Sequence, residues 1–245
     1  MKLLGKMSWL ELKLFLREPL TVLFALALPL LVLFVMGGVF GNDADAEFYR
    51  GVGAMDYYVP AYIALVTASV GLISLPAHIA GNRDRGVLKR YHASSMPTWA
   101  VVGASVITTF VIAAVSSLLL VAVAMPIHSV VGPDSFVGVL VGFFAAALVF
   151  ASLGVLLGAV LPTARAAQAL GVLLWFVMLI LGGAGPPPEV LTGVMGTVGD
   201  LTPLRHGVRI MQDGWLSLDA GLSWLVAGIL VAVFATLSLR FFRWE

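Results

Sequence analysis

The sequence contains no cysteine and few charged residues. The lack of cysteine excludes disulfides, thiolate metal sites and cysteine nucleophiles. Only 11% of the 245 residues are charged, whereas a soluble domain has about 25%. The histidines do not have the spacing of metal ligands, and the net charge of +1 gives no general attraction to nucleic acid. We therefore expect no metal site and no nucleic-acid partner.

Motifs of common catalytic sites are also missing. No G-x-x-x-x-G-K-[ST] phosphate loop occurs, so the chain cannot hydrolyse ATP by that route. No H-E-x-x-H zinc motif occurs either. The run Thr67-Ala68-Ser69-Val70-Gly71 approaches the G-x-S-x-G nucleophile motif but lacks its first glycine. We expect no catalytic residue, no enzyme activity and no cofactor bound by this chain.

Apolar residues make up 60% of the sequence, more than a soluble chain of this length could bury. They form runs long enough to cross a bilayer, at about 20–40, 58–80, 98–125, 136–161, 167–184 and 221–241. The first run contains Pro29, which we expect to kink it. The sequence therefore predicts an all-α integral membrane protein with six transmembrane helices, folded as a single transmembrane domain over 1–245.

Residues 1–18 have the pattern of an amphipathic helix. We assign Lys2, Lys6, Lys13 and Arg17 to one face and Trp9, Leu12 and Leu16 to another. A basic face beside a Trp/Leu face is typical of a helix lying in the membrane interface. The alternative is a solvated helix on a soluble domain.

Positive charges predict the orientation. Eleven of the 14 lysines and arginines lie before the first span, in 82–97, in 162–166 or at positions 240 and 243 at the carboxyl end, and the other three are Arg50, Arg205 and Arg209. Since basic residues concentrate on the cytoplasmic side, both termini are predicted to be cytoplasmic in a cell membrane.

The second and third spans contain neutral polar side chains and no charged residue in their middle. We take five of them as candidates for a substrate pathway: Thr67, Ser69, Ser74, Thr108 and Thr109. Carriers coupled to protons generally need an ionisable residue within the membrane. The pattern therefore favours a lipophilic or amphiphilic transported molecule over an ion. The small residues of the fourth span, from Gly138 to Gly158, indicate close helix packing, within the subunit or between subunits.

The segment 82–97 between spans two and three is strongly basic. Val87, Leu88 and Tyr91 recur at helical spacing, flanked by Lys89 and Arg90. This pattern predicts a short cytoplasmic helix that ends before Pro97. The alternative is that its basic residues only anchor the loop by the positive-inside rule.

The order of residues in this segment resembles the coupling segment of ABC exporter permeases of the second type. Those proteins have an acidic-arginine-glycine run that ends at a proline, and Asn82 and Asp84 stand near their usual glutamate. Arg17-Glu18-Pro19 resembles the family's entry to span one. The outer loop 185–220, which follows Gly182-Gly183 and includes 201–209, resembles the family's re-entrant segment. Within the family, the chain resembles the permeases that export daunorubicin and multiple drugs.

The resemblance implies that this chain forms part of the transport path and that a separate chain hydrolyses ATP. Two copies of a cytoplasmic ABC ATPase would bind ATP and Mg, and a second permease, identical or homologous, would complete the path among membrane lipids. The coupling helix would contact the ATPase through Arg83, Asp84, Arg85, Gly86, Leu88, Lys89, Arg90 and Tyr91. The amino-terminal helix would contact the interface or the ATPase through Lys6, Trp9, Lys13 and Arg17.

Five residues of the outer loop are candidates for an outer gate: Pro186, Pro203, Arg205, His206 and Arg209. The alternative for the two arginines is pairing with lipid phosphate or with Asp200 and Asp213. The implied function is export of a lipophilic or amphiphilic molecule from the cytoplasm or the inner leaflet. Export of a polysaccharide or lipid-linked glycan, a carrier that works without ATP, and a membrane scaffold are the alternatives.

Overall fold

A computed structural model describes residues 9, 13, 23–46, 48–86 and 98–241, with side chains from residue 102 onward in the last range. Six of the described helices are long and apolar enough to cross a membrane. They confirm the predicted all-α membrane protein. The strands of the described residues are β1 (Ala44–Asp45) and β2 (Val52–Gly53), which pair antiparallel after the first span.

The first span has a change of helix type at its proline. A π-helical turn, Leu23–Ala27, precedes α1 (Leu28–Phe40), and Pro29 lies in the first turn of α1. Proline lacks the N–H that would continue an α-helical ladder, and membrane helices accommodate it by such local adjustments. The kink expected at Pro29 stays a prediction, and the structure shows a change of helix type just before this residue.

The second span is the central helix of the bundle. It consists of α2 (Ala54–Ser69), a π-helical segment (Val70–Ser74) and α3 (Leu75–Asp84), and it is almost entirely buried. It packs against the first, third, fourth and fifth spans and against the outer loop. At 1.5 Å per residue it is roughly 46 Å long, which exceeds a bilayer core of about 30 Å. The helix extends four residues beyond the predicted range 58–80 at each end.

The third, fourth and fifth spans contact this helix, and the last span packs against the fourth. They are α4 (Thr98–His128), α5 (Phe136–Val160), α6 (Ala164–Leu181) and α9 (Ser223–Phe241). Backbones approach closely where Gly154 and Gly171 face the carbonyl groups of Gly71 and Leu72 in the π-helical segment. The small residues of the fourth span thus pack within the subunit, as the first of the two interpretations predicted.

The outer loop contains a 3-10 turn (Pro188–Val190) and two helices, α7 (Gly193–Leu201) and α8 (Pro203–Leu216). The helix α8 packs between α2 and α5. Its carboxyl end is bonded to the α4–α5 connection, because Ser135 N donates to Gly214 O at 3.1 Å. Gly207, near its amino end, faces Ala64 and Ala146 inside the bundle. The loop therefore folds back among the spans, at the end of the bundle that holds the α4–α5 connection.

Candidate functional site

The end of the central helix at Arg83 is tied to the end of α5. The Arg83 guanidinium donates to the carbonyl oxygens of Ala159 and Leu161, at the carboxyl end of α5. Carbonyl groups at a helix carboxyl end carry partial negative charge and no helical partner, so a cation there is stabilising. Arg83 is thus bound by its own chain, a role that the sequence analysis missed.

The predicted coupling residues begin within a span helix. Arg83 and Asp84 form the last turn of α3, which corrects the loop boundary at residue 82. Asp84 and Arg85 are exposed, and Arg85 Nη2 donates to Asn82 Oδ1 at 3.2 Å. Gly86 ends the described segment with φ of 68°, a left-handed conformation that glycine adopts without strain. The other predicted coupling residues, Leu88, Lys89, Arg90 and Tyr91, lie outside the described residues.

Two residues of the amino-terminal segment are described, and they correct its predicted faces. Lys13 Nζ lies 5.2 Å from the centroid of the Trp9 ring. The assignment of these two residues to different faces was wrong, because residues four apart on a helix are neighbours. Lys6 and Arg17 lie outside the described residues.

The five candidates for a substrate pathway are buried inside the subunit. Thr67, Thr108 and Thr109 donate to carbonyl oxygens of their own helices at 2.7–3.0 Å. Ser69 Oγ donates to Leu65 O and accepts a bond from Trp175 Nε1 at 2.6 Å, which links the central helix to α6. Ser74 lies in the π-helical segment. Their role in transport stays a prediction.

The outer loop brings three of its predicted gate residues together. Arg205 Nη1 donates to Asp200 Oδ1 and Gly196 O at 2.9 Å, and Arg209 lies 3.6 Å from the same carboxylate. His206 bonds Ser223 Oγ at 3.2 Å and Asp200 O at 3.0 Å, which connects α7, α8 and α9. Burial lowers the pKa of His206.

The other gate candidates lie apart from this cluster. Pro203 begins α8, where its missing N–H costs no helical bond, and Pro186 lines a cavity near the end of α1. Of the two acidic partners suggested for the arginines, Asp200 is the one that the structure shows. Asp213 accepts a bond from Trp224 Nε1 at 3.0 Å.

A polar junction at the start of the central helix was missed by the sequence analysis, which began the second span at about residue 58 and so left Asp56 outside it. The Asn42 side chain accepts from Met55 N and Asp56 N at 2.9 and 3.1 Å, so it caps α2. Asp56 is buried in the first turn and accepts from Val131 N at 2.8 Å. An acidic residue just before an apolar run is the signal that could have extended this helix.

The six spans, the central helix and the outer helical loop are consistent with a transport subunit, and comparison with known families decides its class. The family model of the ABC-2 type transporter matches residues 2–216. The chain belongs to the ABC-2 type transporter family. A search of the curated proteins finds no match to the chain.

As an ABC-2 permease, the chain is the membrane subunit of an ABC-type transporter, and its ATPase partner is a separate subunit. The match includes the first five spans and both outer helices, whereas α9 lies beyond it. The described residues contain no group of three or more His, Cys, Asp or Glu side chains that could hold a metal ion.

Proposed function

We propose that this ABC-2 permease exports a lipophilic or amphiphilic molecule, of the class that includes drug-like compounds and lipids, from the cytoplasm or the inner leaflet. A separate ATPase, present in two copies with ATP and Mg, supplies the energy. A second permease, identical or homologous, completes the path. Both termini are cytoplasmic in the cell membrane, in accordance with the distribution of lysine and arginine.

The observation that carries this proposal is the connection at the end of the central helix. Segment 82–97 begins within the last turn of α3, where Arg83 is bonded to the end of α5. On the same turn, Gly81 packs against Ala164 at the start of α6. A force applied to the coupling segment is therefore transmitted to three spans at once. Through this connection, an ATPase docked on the coupling segment would move these spans when it binds and hydrolyses ATP.

The polarity of the spans supports a lipophilic substrate. Charged side chains of the described spans occur in the first or last turns, as with Asp56, Arg165 and Arg240. The threonine hydroxyls named above are bonded to their own helices. A compact, strongly hydrated ion would have to exchange its water for groups that these spans do not offer.

A glycan path lined by aromatic residues receives less support. Tyr57, Tyr58 and Tyr62 do form an aromatic ladder in the central helix, with the Tyr58 and Tyr62 rings stacked at 5.5 Å. Each is at most 1% exposed, so these rings offer almost no free surface on which a sugar could stack.

The coupling role is tested by reversing two charges. We expect R85E/K89E to abolish the transport-linked stimulation of ATP hydrolysis in the permease–ATPase complex, because the docking surface changes sign. The measurement is ATPase rate with and without substrate in proteoliposomes, together with co-purification of the two subunits.

The control is R165E, which makes one arginine-to-glutamate charge reversal at an exposed residue at the start of α6, outside the coupling segment. It should leave both co-purification and stimulation in place. Stimulated hydrolysis that persists in R85E/K89E at the wild-type level would contradict the proposal.

A further inference from the structure

A cavity of about 680 Å³ opens at the outer end of the first span. It lies between the end of α1, the connection that contains β1 and β2, and residues 185–190 of the outer loop. Its volume falls within the range of roughly 300–1,000 Å³ typical of ligand pockets. No step of the proposed coupling mechanism uses this cavity.

Aromatic rings form much of its wall. Phe40, Phe48, Tyr49 and Tyr58 all line it. Tyr49 packs edge-on against Phe40 and Tyr58, with ring centroids 6.3 and 5.8 Å apart. Phe40 and Phe48 are 51% and 40% exposed, so part of their surface is open to a ligand. Tyr58 donates to Gly185 O at 2.8 Å, which joins the central helix to the opposite wall.

Two carboxylates complete the lining. Asp43 is exposed, and Asp45 is half-buried with its Oδ1 accepting from the backbone N–H of Phe48 at 3.1 Å, which restrains the orientation of this carboxylate. Among the described residues, no lysine or arginine lines the cavity, and Arg50 on the same connection lies outside the lining. The wall therefore combines apolar surface with negative charge.

We propose that this cavity binds a lipophilic organic cation. Aromatic faces attract cations, and nearby carboxylates add Coulomb attraction, whereas an anion of equal shape is repelled. A small hydrated metal ion would not use the aromatic surface, and a neutral lipophile would not use the carboxylates. The inference rests on the proposed function, because it narrows the transported lipophilic class to molecules that carry positive charge.

The test compares two probes of the same shape and opposite charge. Tetraphenylphosphonium and tetraphenylborate would be measured by equilibrium dialysis against the full chain in nanodiscs of zwitterionic lipid. Partition into the lipid is subtracted with empty nanodiscs. We expect saturable binding of the phosphonium cation, and binding of the borate at least about tenfold weaker.

Variants locate the site. D43N and D45N should each weaken phosphonium binding about threefold to tenfold, since each removes one negative charge at a partly exposed position. Asparagine at position 45 keeps an oxygen that can accept from Phe48 N. The matched control is D134N, which neutralises a carboxylate of the α4–α5 connection that does not line the cavity. It should bind phosphonium as the wild type does.

The outcomes separate this inference from the proposed function. Equal binding of the two probes, or phosphonium binding unchanged in D43N/D45N, would overturn the cation site whether or not the complex transports. Charge-selective binding that D43N/D45N removes supports the site. If such binding is found and the complex with its ATPase still exports no lipophilic molecule, the proposed function fails while the site stands.

Discussion

At the residue scale, Ser69 and Trp175 form a buried link between the central helix and α6. The Trp175 side chain is fully buried, and its Nε1–H donates to Ser69 Oγ at 2.6 Å. Phe24 of the first span packs edge-on against the same indole, with ring centroids 5.1 Å apart. Three spans therefore meet at one side chain.

Removing the acceptor should destabilise the protein. We expect S69A to lower the free energy of unfolding by about 1–2 kcal/mol, because it leaves the buried indole N–H without a partner. A double-mutant cycle with W175F should give a coupling energy of about 0.5–1.5 kcal/mol. The measurement is unfolding in mixed micelles with increasing denaturing detergent.

The control for this cycle is T67V. Thr67 Oγ1 donates to Ala64 O at 2.7 Å within its own helix, so its loss breaks no contact between spans. We expect a change below about 0.5 kcal/mol for this variant. Additive effects of S69A and W175F would show that the bond contributes nothing.

At the element scale, the π-helical segment is the point where the central helix meets α5 and α6. A Cβ atom on Gly154 would collide with the carbonyl oxygen of Gly71, and a Cβ atom on Gly171 would collide with that of Leu72. The obstructing atoms are backbone, so side-chain rotation cannot relieve the overlap. These two glycines set the distance between the three helices.

Alanine at either glycine should separate the helices. We expect G154A and G171A each to lower the free energy of unfolding by about 1–3 kcal/mol, the usual cost of overpacking. G228A is the matched control, because Gly228 lies within α9 with nothing within 4 Å of an added Cβ. Since alanine favours helices over glycine, G228A should be neutral or stabilising by up to about 1 kcal/mol. Equal effects of all three variants would contradict this account.

At the scale of the whole molecule, the outer helices close the bundle through a polar cluster. Arg205 is 2% exposed and pairs with Asp200, and His206 connects α8 to Ser223 at the start of α9. The cluster joins three elements that are separate in the chain. Its stability depends on His206 remaining neutral, because burial disfavours the imidazolium form.

This cluster predicts a dependence of stability on pH. The pKa of His206 is lowered from 6.5 in the folded protein, so the unfolded chain binds the proton more readily. The contribution of neutral His206 to the stability of the folded protein is complete above pH 6.5. It is lost as the pH falls through the lowered pKa that His206 has in the folded state. We expect the thermal midpoint to fall as the pH is lowered below about 6.5, and H206Q to remove part of that slope. Identical slopes in wild type and H206Q would contradict the assignment.

Hydropathy predicted the number of spans, and in most cases their limits to within a few residues. The largest error was at the central helix, where polar residues such as Asp56 and Arg83 were assigned to loops. Both are helical because tertiary partners satisfy them: Val131 N bonds Asp56, and the end of α5 bonds Arg83. A window of apolar residues cannot anticipate partners that are about 75 residues away along the chain.

The sequence pattern predicted the candidate sites less completely than it predicted the spans. The arginine–histidine run of the outer loop was recognised from its sequence, and the structure joins Arg205, His206 and Arg209 around Asp200. The cavity lined by Tyr49, Tyr58 and Pro186 was not recognised from the sequence, because separate parts of the chain form its wall.

The sequence by itself determined that this chain is a membrane protein of six spans without a phosphate loop, because the transfer of apolar residues into lipid is a local and additive property. Only the tertiary structure decided which span is central, which glycines allow three helices to meet, and that Arg83 holds the end of α5. Those features depend on packing and hydrogen bonds between distant segments, whose partners a linear pattern does not specify.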